Sequence, residues 1–189
     1  MVIPTRDYTA EKFDDFVELP ENRDKLFEYI GGEIVEVPSN PYSSYISGWV
    51  HTFINMYLLN HPIGFATGEQ GGYIVSGERY APDVAFISKL KQSSLVKEGY
   101  NPNPPDLAVE VVSPTDTDRR LSLKIANYLA AGTVVWVIYP EAYEIEVYEP
   151  RKAVRILGIE DKLEGGDILP GLEISVKSVL SRDESDKQE

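Results

Sequence analysis

The spacing of apolar residues changes along the chain between a period near 3.6 and a period near two, and each change marks an element. Between residues 43 and 59, Ile46, Val50, Phe53, Ile54, Tyr57 and Leu58 recur at mostly helical spacing, which predicts a helix closed by Asn60-His61-Pro62. A short helix is predicted over 9–18, where Phe13, Phe16 and Val17 follow a Thr9 cap and Leu19-Pro20 ends the run. Another is predicted over 118–131, with Leu121, Ile125, Tyr128 and Leu129 as its stripe and Gly132 as its stop.

Strands are predicted where the runs are short and apolar. Lys25 to Ile30 and Glu33 to Val37 flank Gly31-Gly32, the residue pair a tight hairpin prefers. From Phe65 to Ser113 the pattern is strand-like, with Tyr73–Val75, Val84–Ile87 and Leu107–Val112 as its apolar segments and a polar loop from Ser88 to Pro105. Thr133 to Tyr139 is continuously apolar, as a buried central strand is. Strand, helix and strand over 107–139 predict a right-handed crossover joining parallel strands. Glu144–Tyr148 and Ala153–Leu157 predict a second hairpin around Glu149-Pro150, at the sheet margin. No segment repeats. The expected fold is α/β (α+β), a mixed sheet flanked by helices in a single domain over residues 1–180, with a polar, fraying tail over 181–189.

Composition narrows the chemistry. With 189 residues, 42% hydrophobic and 26% charged, the chain has the balance of a folded globular domain. No apolar run is long enough to cross a bilayer and the first residues lack a signal peptide's apolar core, so a cytoplasmic protein without membrane contact is expected. The chain has no cysteine and two histidines, which excludes disulfides, thiol catalysis and thiolate zinc sites and makes a poly-histidine site a poor fit. Any metal would be held by oxygen, which favours hard ions. The net charge of −13 argues against nonspecific attraction to a phosphate backbone, although a dimer can assemble a local basic groove on an acidic body.

Within this frame Glu110 is the most informative residue. It interrupts an apolar strand on the face of Ala108 and Val112, where an ionised carboxylate is costly without a cation, either a paired side chain or a bound ion. Asp83 follows Pro82 at the start of Val84–Ile87 and reads alone as a turn residue. If the two strands are neighbours, however, the carboxylates stand side by side, an arrangement that binds a divalent ion and suits phosphodiester hydrolysis. Lys124 borders the sheet-facing stripe of its helix; it either covers the core edge with its stem or reaches back toward Glu110 to stabilise phosphate charge. His51 reads as a partly exposed helix residue, and Trp49 and Trp136 as core or interface anchors.

Taken in order, Ala81-Pro-Asp-Val-Ala-Phe86, Asp106-Leu-Ala-Val-Glu-Val-Val-Ser-Pro114, Lys124 with Tyr128 and Ala131-Gly132, Val135-Trp-Val-Ile-Tyr-Pro140 and Asp167-Ile-Leu-Pro-Gly-Leu172 resemble the restriction-endonuclease family called Uma-two, over nearly the full chain. The resemblance implies the PD-(D/E)XK nuclease fold, in which an acid pair binds a divalent metal and a lysine assists hydrolysis. It makes Asp83 the acid of the Pro-Asp element and Glu110 the acid of the (D/E)XK element, with the Val111 backbone carbonyl as a further ligand and Mg2+ or Mn2+ as cofactor. Val112 stands where the superfamily has its in-strand lysine, and the resemblance moves that role to Lys124. Glu33 matches an acid near the N-terminus and is a further candidate ligand; Glu69 is a weaker one. The expected partners are nucleic acid, DNA before RNA, and a second copy in a homodimer, with Lys89, Lys91 and Lys97 as weak candidates for phosphate contacts. The competing reading is a noncatalytic domain on the same scaffold that acts in protein interaction.

Overall fold

The computed structural model describes residues 9–37, 40–113 and 118–181. The N-terminal residues read for a signal peptide, Pro114 of the motif above, and the tail beyond Ser181 lie outside them. The helices are α1 (Ala10–Val17), α2 (Pro41–Asn60), α3 (Asp118–Ala130) and α4 (Val176–Leu180). The strands are β1 (Phe27–Ile30), β2 (Glu33–Glu36), β3 (Gly64–Gly68), β4 (Tyr73–Val75), β5 (Glu78–Tyr80), β6 (Val84–Ser88), β7 (Leu107–Val111), β8 (Val134–Tyr139), β9 (Glu144–Tyr148), β10 (Arg155–Leu157), β11 (Lys162–Glu164) and β12 (Glu173–Ser175).

Local signals set these boundaries. Asn40 caps α2 by accepting from the backbone N–H groups of Tyr42 and Ser43 at 3.0 and 3.3 Å, and Pro41 occupies the first turn, where no donor is needed. Gly31 and Gly32 both take positive φ, 58° and 85°, as a two-residue hairpin turn between β1 and β2 requires.

A six-stranded sheet, in the order β10-β9-β8-β7-β6-β3, divides the core. Only β7 and β8 run parallel within it, joined through α3 in the predicted crossover. One face, with Val84, Phe86, Leu107, Val109 and Trp136, is covered by α2, α4 and the C-terminal segment. The other, with Ala85, Ile87, Ala108, Val135 and Val137, packs against α3 and a four-stranded antiparallel sheet ordered β2-β1-β5-β4. Small alanines on that second face leave room for the helix and the second sheet to approach. Five elements are not legible from the spacing of apolar residues: β3, β5, β11, β12 and α4, each three to five residues long and too short to show a period.

Candidate active site

The polar centre of the molecule lies between the two sheets. Strands β6 and β7 are antiparallel with Val84 opposite Val109, so continuing the register brings Asp83 opposite Glu110. Asp83 Oδ2 accepts the Val111 N–H at 2.6 Å. In a strand the N–H and C=O of one residue point to the same flank, so the Val111 carbonyl faces the Asp83 side as well. Glu110 shares the face of Ala108, toward α3, and is only 8% exposed.

α3 supplies the partners through a polar stripe with helical spacing. Arg120, Lys124 and Tyr128 lie four residues apart and therefore on one side of the helix. Lys124, 7% exposed, donates from Nζ to Glu110 Oε2 at 2.7 Å and to Glu28 Oε1 at 2.9 Å. Tyr128 donates its hydroxyl to Glu110 Oε1 at 3.1 Å. Glu28, on β1, is fixed in turn by the Ala81 N–H, which donates to Oε1 at 2.8 Å. The ring of Tyr80 lies 5.7 Å from the ammonium and 5.2 Å from the ring of Tyr128, walling the group from solvent.

This environment perturbs Glu110, Lys124 and Tyr128. Burial pushes the Glu110 carboxyl up to about 8 against an ordinary 4.5, with Lys124 opposing the rise and the charges of Glu28 and Asp83 adding to it. For Lys124 burial works to lower the pKa, but Glu110 and Glu28 outweigh it and the ammonium is held above its ordinary value. Burial, then the Glu110 and Glu28 charges, raise the Tyr128 phenol. Lys124 is therefore a fixed cation at neutral pH, able to donate and to stabilise negative charge.

Asp83, Glu110 and Lys124 thus meet at one place, and the structure adds Glu28, absent from the sequence-derived set. Its signal was available, because Phe27-Glu-Tyr-Ile30 carries an acid inside an apolar run as Leu107–Val112 does. Glu33 lies elsewhere: two pairs nearer the turn than Glu28, it ion-pairs with Arg120 at 3.1 Å with its side chain 44% exposed. Glu69 is exposed in the turn after β3. Lys89 and Lys91 follow β6 at the end opposite Asp83, where Lys89 donates to the Pro62 carbonyl and Lys91 pairs with Asp106 at 2.9 Å; Lys97 is exposed in the same loop. The lysine loop therefore does not border the acid cluster. Trp136 is buried in the core, and the half-buried Trp49 and His51 sit on α2, across the six-stranded sheet from Glu110.

The donor set fits a hard divalent ion. Among the described residues no three His, Asp or Glu side chains form a ready-made cage. Two carboxylates and a carbonyl are what Mg2+ typically takes from protein, with waters and substrate phosphate completing its shell. A cation beside Glu110 would oppose the rise that burial and the charges of Glu28 and Asp83 cause.

The fold defines the class: an α/β domain whose acid-bearing strand feeds a helical crossover. It is similar to that of a solved protein from Anabaena variabilis described as a putative nuclease belonging to DUF820, with a TM-score of 0.79, 22% identity, and coverage of 92% of this chain and 98% of that one. Residues 13–177 match the Uma2 (Uma-two) family, described as "Putative restriction endonuclease", and the chain belongs to that family. No curated protein matches it.

Proposed function

We infer that this protein is a divalent-metal-dependent endonuclease that hydrolyses phosphodiester bonds in nucleic acid, DNA in the first instance. The observation that carries this reading is the convergence of Asp83, Glu110 and the buried cation Lys124. Asp83, Glu110 and the Val111 carbonyl would hold Mg2+ or Mn2+, which when bound polarises a phosphate oxygen and lowers the pKa of a coordinated water.

The chain's own residues do the rest. Lys124, held charged, stabilises the negative charge that builds on the attacked phosphate or orients the water; its raised pKa makes it a poor base at neutral pH. Glu28 holds the same ammonium as Glu110, and Ala81 N–H holds Glu28. Tyr128 fixes the second oxygen of Glu110. Membership of a family described as restriction endonuclease supports nucleic acid as the substrate class.

A second reading has one observation behind it. Both Glu110 oxygens already accept hydrogen bonds, from Lys124 and Tyr128, so the cluster also makes sense as a buried ion pair in a noncatalytic domain. Plasmid nicking with Mg2+, Mn2+ or EDTA separates the two. Nuclease action predicts metal-dependent cleavage that falls by about 100-fold or more in Lys124→Met. Wild-type protein inert with both ions would leave the noncatalytic reading standing.

A further inference from the structure

Helix α2 is apolar on two opposite faces, and the sheet covers one of them. Ile46, Val50, Ile54 and Leu58 are buried against the six-stranded sheet. On the other side Tyr45, Met56 and Leu59 are 41%, 58% and 83% exposed. With Tyr42, Trp49 and Thr52 they recur at alternating spacings of three and four, the spacing of a helix–helix seam. The stripe is continuous, since Trp49 stacks edge-on against Tyr45 at 6.4 Å and tilted against Phe53 at 6.2 Å. A helix that is hydrophobic all round is ordinarily a buried one.

Charge supplies a second, independent observation. From Val37 to Gly68 the sequence contains no Asp, Glu, Lys or Arg, in a chain that is 26% charged and carries −13 overall. When two copies meet, most of the surface sets acidic groups against acidic groups; the α2 face sets none. Beside the stripe lies a hollow of about 470 Å³ lined by Met56, Leu59, Phe65 and Leu95, space that protruding side chains of another molecule would fill.

We propose that this face binds a second copy of the chain, the two α2 helices packing on each other about a twofold axis. An isologous contact needs one patch complementary to itself, and an uncharged apolar seam meets that condition. The assembly is compatible with the candidate active site, because α2 covers the face of Val109 while Glu110 points to the other side of the same sheet. The proposal does not depend on the nuclease reading.

Sedimentation equilibrium on the full chain tests it, with the double variant Met56→Asp/Leu59→Asp and the control Ile156→Asp, which alters an exposed residue on β10 at the other edge of the sheet. The expected masses are twice 21.2 kDa for the wild type and the control, and 21.2 kDa for the double variant with an unchanged far-ultraviolet circular dichroism spectrum. Should the double variant lose that spectrum, Leu59→Lys alone, at the most exposed position of the stripe, replaces it with the same expected mass. A monomeric wild type, a folded seam variant that remains dimeric, or a monomeric control would each overturn the proposal.

Discussion

Glu28 and Glu110, which come from strands of different sheets, share the ammonium of Lys124 at 2.9 and 2.7 Å. One lysine on α3 therefore ties the small sheet to the large one at the point where the candidate chemistry lies. If Glu28 positions Lys124, Glu28→Gln should keep an acceptor for the Ala81 N–H and retain the fold, yet lower cleavage by about 10–100-fold. Because Asp83 and Glu110 remain, Mn2+ affinity should change little. Steady-state nicking rates beside a metal titration check this; a variant with wild-type rates would remove Glu28 from the mechanism.

Stability should depend on pH in a direction set by Glu110. Its folded-state pKa, about 8, lies above its ordinary 4.5, so the folded protein binds the extra proton between those values. The associated stability is fully present below about pH 4.5 and is lost as pH rises through about 8. Lys124, also raised, adds a further loss above its ordinary 10.5. Urea denaturation from pH 5 to pH 9 (about this span suffices) should show falling stability for the wild type and a flatter profile for Glu110→Gln. Equal slopes in the two proteins would contradict this assignment.

Tyr128→Phe removes one of the two donors to Glu110 without changing the ring that fills the core. The expected cost is about 1 kcal/mol of stability, the net value of one hydrogen bond. With one donor gone the ionised carboxylate is less favoured, so the alkaline limb of the pH–stability profile should shift upward in pH. Thermal unfolding and the pH series together detect both effects.

The hairpin that presents Glu28 depends on Gly31. Its φ is +58°, and a Cβ there would stand 2.9 Å from Leu123 Cδ2. Gly31→Ala should cost at least about 1–2 kcal/mol, the left-handed penalty alone, while Gly32→Ala meets no atom within 4 Å and carries only that penalty. Chemical denaturation of the two variants should rank Gly31→Ala as the more damaging.

Much of the fold was legible because its long elements obey one period each. The β7–α3–β8 crossover follows from a continuous apolar strand, a stripe on 118–131 and a second apolar strand. The short strands were not legible, since three residues such as Glu78–Tyr80 cannot display alternation and their pairing is decided by the turn at Ser76-Gly77, where both residues take positive φ. At the site, Asp83 and Glu110 could be paired from sequence because neighbouring strands bring them together. Glu28 could not, because only the docking of one sheet on the other carries β1 to Lys124. Alternation puts Glu33 on the same face of the hairpin as Glu28, and only the structure shows that Arg120 takes Glu33.

In the proposed function Asp83 and Glu110 hold one metal ion between them. Isothermal titration of Mn2+ into the wild type, Asp83→Ala and Glu110→Ala, each in two buffers of different protonation enthalpy, tests it most directly. The account predicts a single site in the wild type, loss of binding in both variants, and release of protons on binding near pH 7, where Glu110 is held partly protonated. Wild-type protein that takes up no Mn2+, or binding that survives both substitutions, would contradict it.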